Sequence, residues 1–405
     1  MLITELSELI AIPSVGGSAG EVAIQHHLAQ RLDDLGLSVD LWPIDLERVR
    51  AAAGYPGEEV ARDAAWGLVA SNRPDDEPAL ILQGHVDVVP VGDLNAWSSD
   101  PFVATPFGDS VVGRGACDMK AGVAAILAAA TAAQTAGQPV PTFAVHFVIG
   151  EEDGGLGAFA TLERGHRGRC CIIPEPTNLH VITANAGALT FRIEVPGLAA
   201  HGSTRYAGVS AIDAYLPIHQ ALAELETRRN AIVEPSMADF PIPYPLSVGR
   251  LHAGEWSSTV PDLAVVEGRF GLRIEEDPGS ARRELEDVVH TAAAAVPFLR
   301  DHPPVVSWPG GQFAGGRLPV GHRLADRVAA LHEQVTSSPT PPPHGVPYGS
   351  DLRLYAQAGI PTLHYGPGDV RQAHAPNESV PIDQLLTVAE VLTRAVLQAD
   401  QLAAG

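Results

Sequence analysis

The stretch A-L-I-L-Q-G-H-V-D-V-V-P, residues 79–90, decides how the chain is read. Its apolar run, 79–82, has the length and bounds of a buried strand, and His85 and Asp87 stand two residues apart just past the run. In extended backbone the period of two puts both side chains on one face. An imidazole and a carboxylate at the mouth of a strand suit a metal ligand with an orienting partner, or a catalytic acid/base pair. Alone, an H-x-D at a strand end is also ordinary turn chemistry. The choice turns on whether other strands end the same way.

Two further apolar runs do. Residues 142–149 end in G-E-E-D-G-G, 150–155, and residues 170–173 end in P-E-P-T, 174–177. Three buried strands thus deliver His85 and Asp87, Glu151 and Glu152, and Glu175 at their C-terminal ends, where open α/β sheets bind ligands. Between the first and second strands, G-R-G-A-C-D-M-K, 113–120, sets Asp118 at the start of an alanine-rich helix. Near the end of the chain, A-H-A-P-N-E, 373–378, supplies His374.

Composition bounds the function. Hydrophobic residues make up 45% and charged residues 18% of 405, a globular balance with a sizeable core. A net charge of -22 excludes nucleic-acid and anionic-membrane partners, which need a basic surface. The most apolar long segment, 121–133, is too short to span a bilayer. Cys117, Cys170 and Cys171 form neither a disulfide framework nor a C-x-x-C signature, and the N-terminus has acidic residues where a signal peptide needs basic ones. A cytoplasmic location is expected. Lys120 is the only lysine, which suggests that a compact ammonium is wanted there, with neutralisation of nearby carboxylates as one use.

The expected fold class is α/β. A mixed-sheet catalytic domain with helices on both faces spans 1–186 and 309–405. Apolar spacing marks a helix over 19–35, closed by Gly36, and a strand over 37–41. The charged, alanine-rich excursion 43–66 has no readable role. From Gly187 to residue 308 a β-α-β-β-α-β order describes an inserted two-layer α+β domain.

Two divalent metals about 3.5–4 Å apart need a bridging carboxylate, terminal imidazoles and carboxylates, and a shared water made nucleophilic. Asp118 is placed to bridge, with His85 and His374 each capping one metal and Glu175 and one of Glu151 or Glu152 completing the shells. Adjacent glutamates do not easily reach one ion together, which leaves the other as general base. This donor set suits zinc, with cobalt or manganese as alternatives. Cys117 beside Asp118 reads as a small buried filler rather than the nucleophile of a cysteine hydrolase.

Taken in order, H-V-D-V-V-P, G-R-G-A-C-D-M-K, G-E-E-D-G-G, P-E-P-T, A-A-H-G-S and A-H-A-P-N-E resemble the di-zinc family of acetylornithine deacetylases, succinyl-diaminopimelate desuccinylases, aminoacylases and related carboxypeptidases. The resemblance spans nearly the whole chain. It implies that Asp118 bridges, that His85 and Glu175 hold one metal, and that Glu152 and His374 hold the other. It further implies Glu151 as general base, Asp87 as the carboxylate orienting His85, and His201 as the oxyanion-stabilising histidine. Arg273 matches the arginine that grips a substrate carboxylate. Ser258 and Ser210 stand where the family often has asparagine, and Ser258 and Arg353 are further substrate-side candidates. The implied function is cleavage of an N-acyl amino acid, acetylornithine deacetylase-like, by a homodimer joined through an inserted lid/dimerisation domain. A dipeptidase or carboxypeptidase of the same family is the alternative enzyme, and a catalytically silent metal-containing binding protein the alternative of another class.

Overall fold

The computed structural model describes residues 2–404. Two compact units emerge, one made of 1–184, 316–344 and 350–405, the other of 185–315 and 345–349. Residues 309–315 and 345–349 therefore group with the inserted unit.

The first unit is built on a mixed sheet. Strand Leu80–His85 lies at its centre, parallel to Phe143–Val148 on one side and Cys171–Ile173 on the other, and Thr362–His364 adds a fourth parallel strand. Continuous burial of these strands accounts for their unbroken apolar runs, because both faces are covered. Two antiparallel strands, Trp66–Ser71 and Ser38–Pro43, extend the sheet beyond Phe143–Val148.

Alternation along Leu80–His85 shows the layering. A side chain at Gly84 would meet Val123 and Ile126 of helix Lys120–Gln134, while Gln83 donates to Asp351, the residue that caps helix Leu352–Gln357. Helix Lys120–Gln134 is buried around most of its circumference, which its run of alanines allows. It packs against helices Leu2–Ile10 and Ile382–Leu397. Helix Ala19–Asp34 starts where the Ser18 hydroxyl accepts from the Gly20 amide and ends before Gly36, whose φ of 77° suits glycine. The excursion after Pro43 contains a short helix, Leu46–Ala51, that its charged sequence did not announce.

The inserted unit is a two-layer α+β arrangement. Its antiparallel sheet runs Leu246–Ala253, Leu263–Leu272, Gly187–Pro196, Val305–Ser307, with Gln312–Phe313 also on Gly187–Pro196. Burial alternates strictly along Gly187–Pro196, and Leu189, Phe191, Ile193 and Val195 form its core with helices Ala211–Arg229 and Pro278–Ala293. Among the described residues, no helix is long and apolar enough to cross a membrane.

Candidate metal centre

His85 is the last residue of its strand and almost wholly buried. Its Nδ1 donates to the backbone carbonyl of Asp87 at 3.1 Å, which fixes the ring and turns Nε2 toward Asp118 Oδ1 at 3.0 Å and Glu175 Oε2 at 3.8 Å. Asp87 was expected to orient His85 through its carboxylate. Its carboxylate lies 3.7 Å from Nδ1 and instead accepts the amides of Glu151 at 3.3 Å and Glu152 at 3.1 Å. Those amides lie just past the end of a strand, without ladder partners, and a buried carboxylate satisfies both. The main chain of Asp87 orients the histidine, while its side chain holds the glutamate loop.

The other oxygen of Asp118 faces a second group. His374 Nε2 stands 3.6 Å from Asp118 Oδ2 and 2.9 Å from Glu152 Oε2. His374 sits at φ 62°, a left-handed conformation that costs energy for a side-chain-bearing residue and is found where a site over-determines the backbone. In each of the sets His85, Asp118, Glu175 and Asp118, Glu152, His374, one donor atom per residue lies within 4.8 Å of the others. Asp118 belongs to both, one oxygen turned to each. Imidazole and carboxylate donors around a shared carboxylate fit a pair of divalent cations, zinc, cobalt or manganese by donor chemistry.

Residues 81–398 match the Peptidase family M20/M25/M40. The chain belongs to this family. It is 28% identical to an N-formyl-4-amino-5-aminomethyl-2-methylpyrimidine deformylase of Bacillus subtilis, over 91% of this chain and 87% of that protein. It is also 28% identical to an acetylornithine deacetylase of Edwardsiella ictaluri, over 96% and 95% of the two chains. A metallo-carboxypeptidase of the M20 family from Sulfolobus solfataricus shares the fold, with a TM-score of 0.78 at 16% identity over 99% of each chain. This M20-family chain is a metal-dependent amidohydrolase by that membership.

Its centre is strongly anionic. Burial pushes the Glu152 carboxyl up to about 7, with Asp118 adding to the rise and the His374 hydrogen bond opposing it. Burial also raises Glu175 and lifts Glu151 well above the usual carboxylate range. The hydrogen bond to Glu152 draws His374 up to about 9. For His85, burial alone would disfavour the charged ring, but Glu175 and Asp118 outweigh it and hold the ring well above its ordinary value. Carboxylates crowded at these distances call for cationic charge, which protons on the two imidazoles or a pair of dications can supply.

The remaining candidates are not members of these two sets. Arg353 is 1% exposed, and its guanidinium donates to the carbonyls of Ser350 at 2.7 Å and Gly154 at 2.6 Å. It thereby braces the glutamate loop. His201, Ser258 and Arg273 belong to the inserted unit. His201 is exposed, with Nδ1 2.7 Å from Ser203 Oγ, on a two-residue strand paired with Thr259–Val260. Ser258 is exposed and its carbonyl accepts the Gly202 amide at 2.6 Å. Arg273 is half-buried and donates to the Arg229 carbonyl at 3.1 Å. Ser210 caps helix Ala211–Arg229 by accepting the Asp213 amide. Cys117 is fully buried, and burial pushes its thiol well up, which disfavours the reactive thiolate.

Sequence reasoning missed Glu378 and Arg62. Glu378 lies inside the quoted A-H-A-P-N-E, so a glutamate four residues past a ligand was the available signal. Arg62 carried none.

Proposed function

We propose that this protein hydrolyses a small N-acyl amine, an N-acyl amino acid first, acetylornithine deacetylase-like. The observation that carries the reading is the double-faced Asp118, one oxygen toward His85 and Glu175 and the other toward Glu152 and His374. Relatives along nearly the whole chain are named for removing formyl and acetyl groups, which favours a small acyl group over a peptide.

His85, Asp118 and Glu175 would hold one cation, and Asp118, Glu152 and His374 the other. Two divalent cations bound there supply Lewis acidity toward a carbonyl oxygen and toward water. Glu151, whose carboxyl burial lifts well above the usual range, takes the proton from the attacking water and passes it to the leaving amine. The Asp87 carboxylate holds the Glu151 and Glu152 amides, keeping the base in place. His201 is assigned to the oxyanion and Arg273 to a substrate carboxylate on the strength of their motifs. Assembly as a homodimer through the inserted unit and a cytoplasmic location belong to the same reading.

The test couples metal analysis to a hydrolysis screen over formyl, acetyl and succinyl amino acids and dipeptides. Turnover of acyl amino acids that is lost on chelation and restored by Zn2+ or Co2+ is the expected result. Activity surviving exhaustive metal removal, or dipeptides cleaved faster than every acyl amino acid, would overturn it.

A further inference from the structure

The excursion 43–66, mute in sequence, wraps the loop that carries Glu151 and Glu152. Arg62 is 4% exposed and lies between two carboxylates that are equally enclosed. On one side Nε and Nη2 donate to Glu21 at 2.9 and 3.0 Å; on the other Nη1 and Nη2 donate to Asp153 at 2.8 Å each. Asp153 directly follows Glu152. Its Oδ2 also accepts the amides of Glu59 at 3.2 Å and Val60 at 2.9 Å, and its carbonyl accepts from Glu59 at 3.1 Å. The approach is close enough that a Cβ at Gly154 would fall 2.2 Å from the Gly57 carbonyl oxygen, and Gly154 takes φ 154°.

Resting on the assignment of Glu151 as base and Glu152 as ligand, we infer that Arg62 is a positioning residue for this hydrolase and that segment 57–62 is a brace for the base-bearing loop. A planar fork gripping Asp153 bidentately fixes the loop in two directions at once, which a single ammonium does not. The same guanidinium anchors the loop through Glu21 to helix Ala19–Asp34, so the loop is referred to the sheet's own scaffold. A ligand and a base on adjacent residues demand such bracing, since a displacement of about 1 Å at a reacting group costs about 10²-fold in rate.

The experiment compares full-length Arg62→Met, Arg62→Lys, Asp153→Asn and Glu21→Gln. Its readouts are kcat and KM on the best acyl amino acid from the hydrolysis screen, thermal melting, and Co2+ titration followed by visible absorption. Positioning predicts that Arg62→Met and Asp153→Asn lower kcat about 10²-fold with KM within about threefold, and weaken one of the two Co2+ sites by about 10- to 100-fold. Arg62→Lys recovers part of both. Glu21→Gln, which leaves the fork on Asp153 and loosens its anchor to helix Ala19–Asp34, lowers the melting temperature most and kcat less than Arg62→Met does.

Losses of kcat that track melting temperature across all four variants, or unchanged kcat and Co2+ binding in Arg62→Lys and Asp153→Asn, would overturn the inference. Should Arg62→Met fail to fold, Arg62→Lys and Asp153→Asn still separate positioning from a purely structural role. Because Co2+ binding needs no substrate, a shifted Co2+ site with no amide turnover in any form would sink the proposed function alone.

Discussion

The carboxylate of Glu378 accepts the backbone amide of Asp118 at 2.9 Å, across 260 residues of chain. The same side chain accepts the amides of Cys117 at 2.8 Å and Gly115 at 3.0 Å and pairs with the Arg114 guanidinium at 2.7 Å. One buried glutamate thus ties the loop bearing His374 to the loop bearing Asp118, the residue that faces both ligand sets.

Glu378→Ala should therefore damage stability and metal binding together. It leaves Arg114, 1% exposed, without its ion-pair partner and three amides without an acceptor, a loss of about 3–5 kcal/mol. Metal affinity should drop about 10- to 100-fold, as for other partners that orient ligands. Denaturant melts and Zn2+ titration check both, and a variant with native affinity would remove Glu378 from the metal argument.

Glu151→Gln should separate chemistry from binding. Turnover falls by about 10²- to 10⁴-fold or more, while metal content per chain stays at the wild-type value. Loss of metal in this variant would instead mark Glu151 as a ligand and move the base role to Glu152.

His85→Ala and His374→Ala should each weaken a different site. His85 shares its set with Glu175, and His374 shares its set with Glu152. Competitive titration with a coloured chelator should find one weakened site in each single variant and both weakened in the double. Were both histidines part of one site, either single variant would match the double.

His146 and His364 should each withdraw stability as the pH falls. His146 and His364 are fully buried, and burial pulls each ring down to about 3 from 6.5. Below pH 6.5 the unfolded chain takes up protons that the folded chain refuses until about pH 3, so stability falls as pH drops through that window. Fully inside it the slope is about 1.4 kcal/mol per pH unit for each histidine. Urea unfolding of metal-free protein at pH 7.5, 6 and 5 measures it, with His146→Gln and His364→Gln each expected to flatten the slope. A pH slope unchanged from wild type in both variants would contradict both assignments.

Lys120→Met should loosen the N-terminal helix. The Lys120 ammonium donates to the carbonyls of Leu9 and Ile12, each at 2.8 Å, at and just beyond the end of helix Leu2–Ile10. Burial pushes the amine down to about 7, and the terminal carbonyls of a helix are suited to hold it. Substitution should cost about 2 kcal/mol and speed amide exchange over residues 2–10; unchanged exchange there would show that the contact contributes nothing.

Strand ends and motif order were legible along the chain, because each rests on local pattern. A buried parallel strand needs an apolar run, and its C-terminal end is where ligands gather. What the spacing of Asp87 from His85 did not show is that its main-chain carbonyl takes the ring's hydrogen bond at 3.1 Å while its side chain accepts the Glu151 and Glu152 amides. Lys120 was rightly singled out, yet it meets helix carbonyls where carboxylates were expected. Arg353 stood as a substrate contact and lies enclosed against the glutamate loop.

By itself the sequence determined the α/β class and the inserted α+β unit. Only the tertiary structure decided what steadies the groups at the centre: Arg62 on Asp153 from 91 residues away, Glu378 on Asp118, Asp87 on the Glu151 and Glu152 amides. The physical reason is that every buried charge and amide must find a partner, and the partner is whichever group the fold brings within about 3 Å. That choice is made in space, between segments whose separation along the chain carries no periodic or local signature.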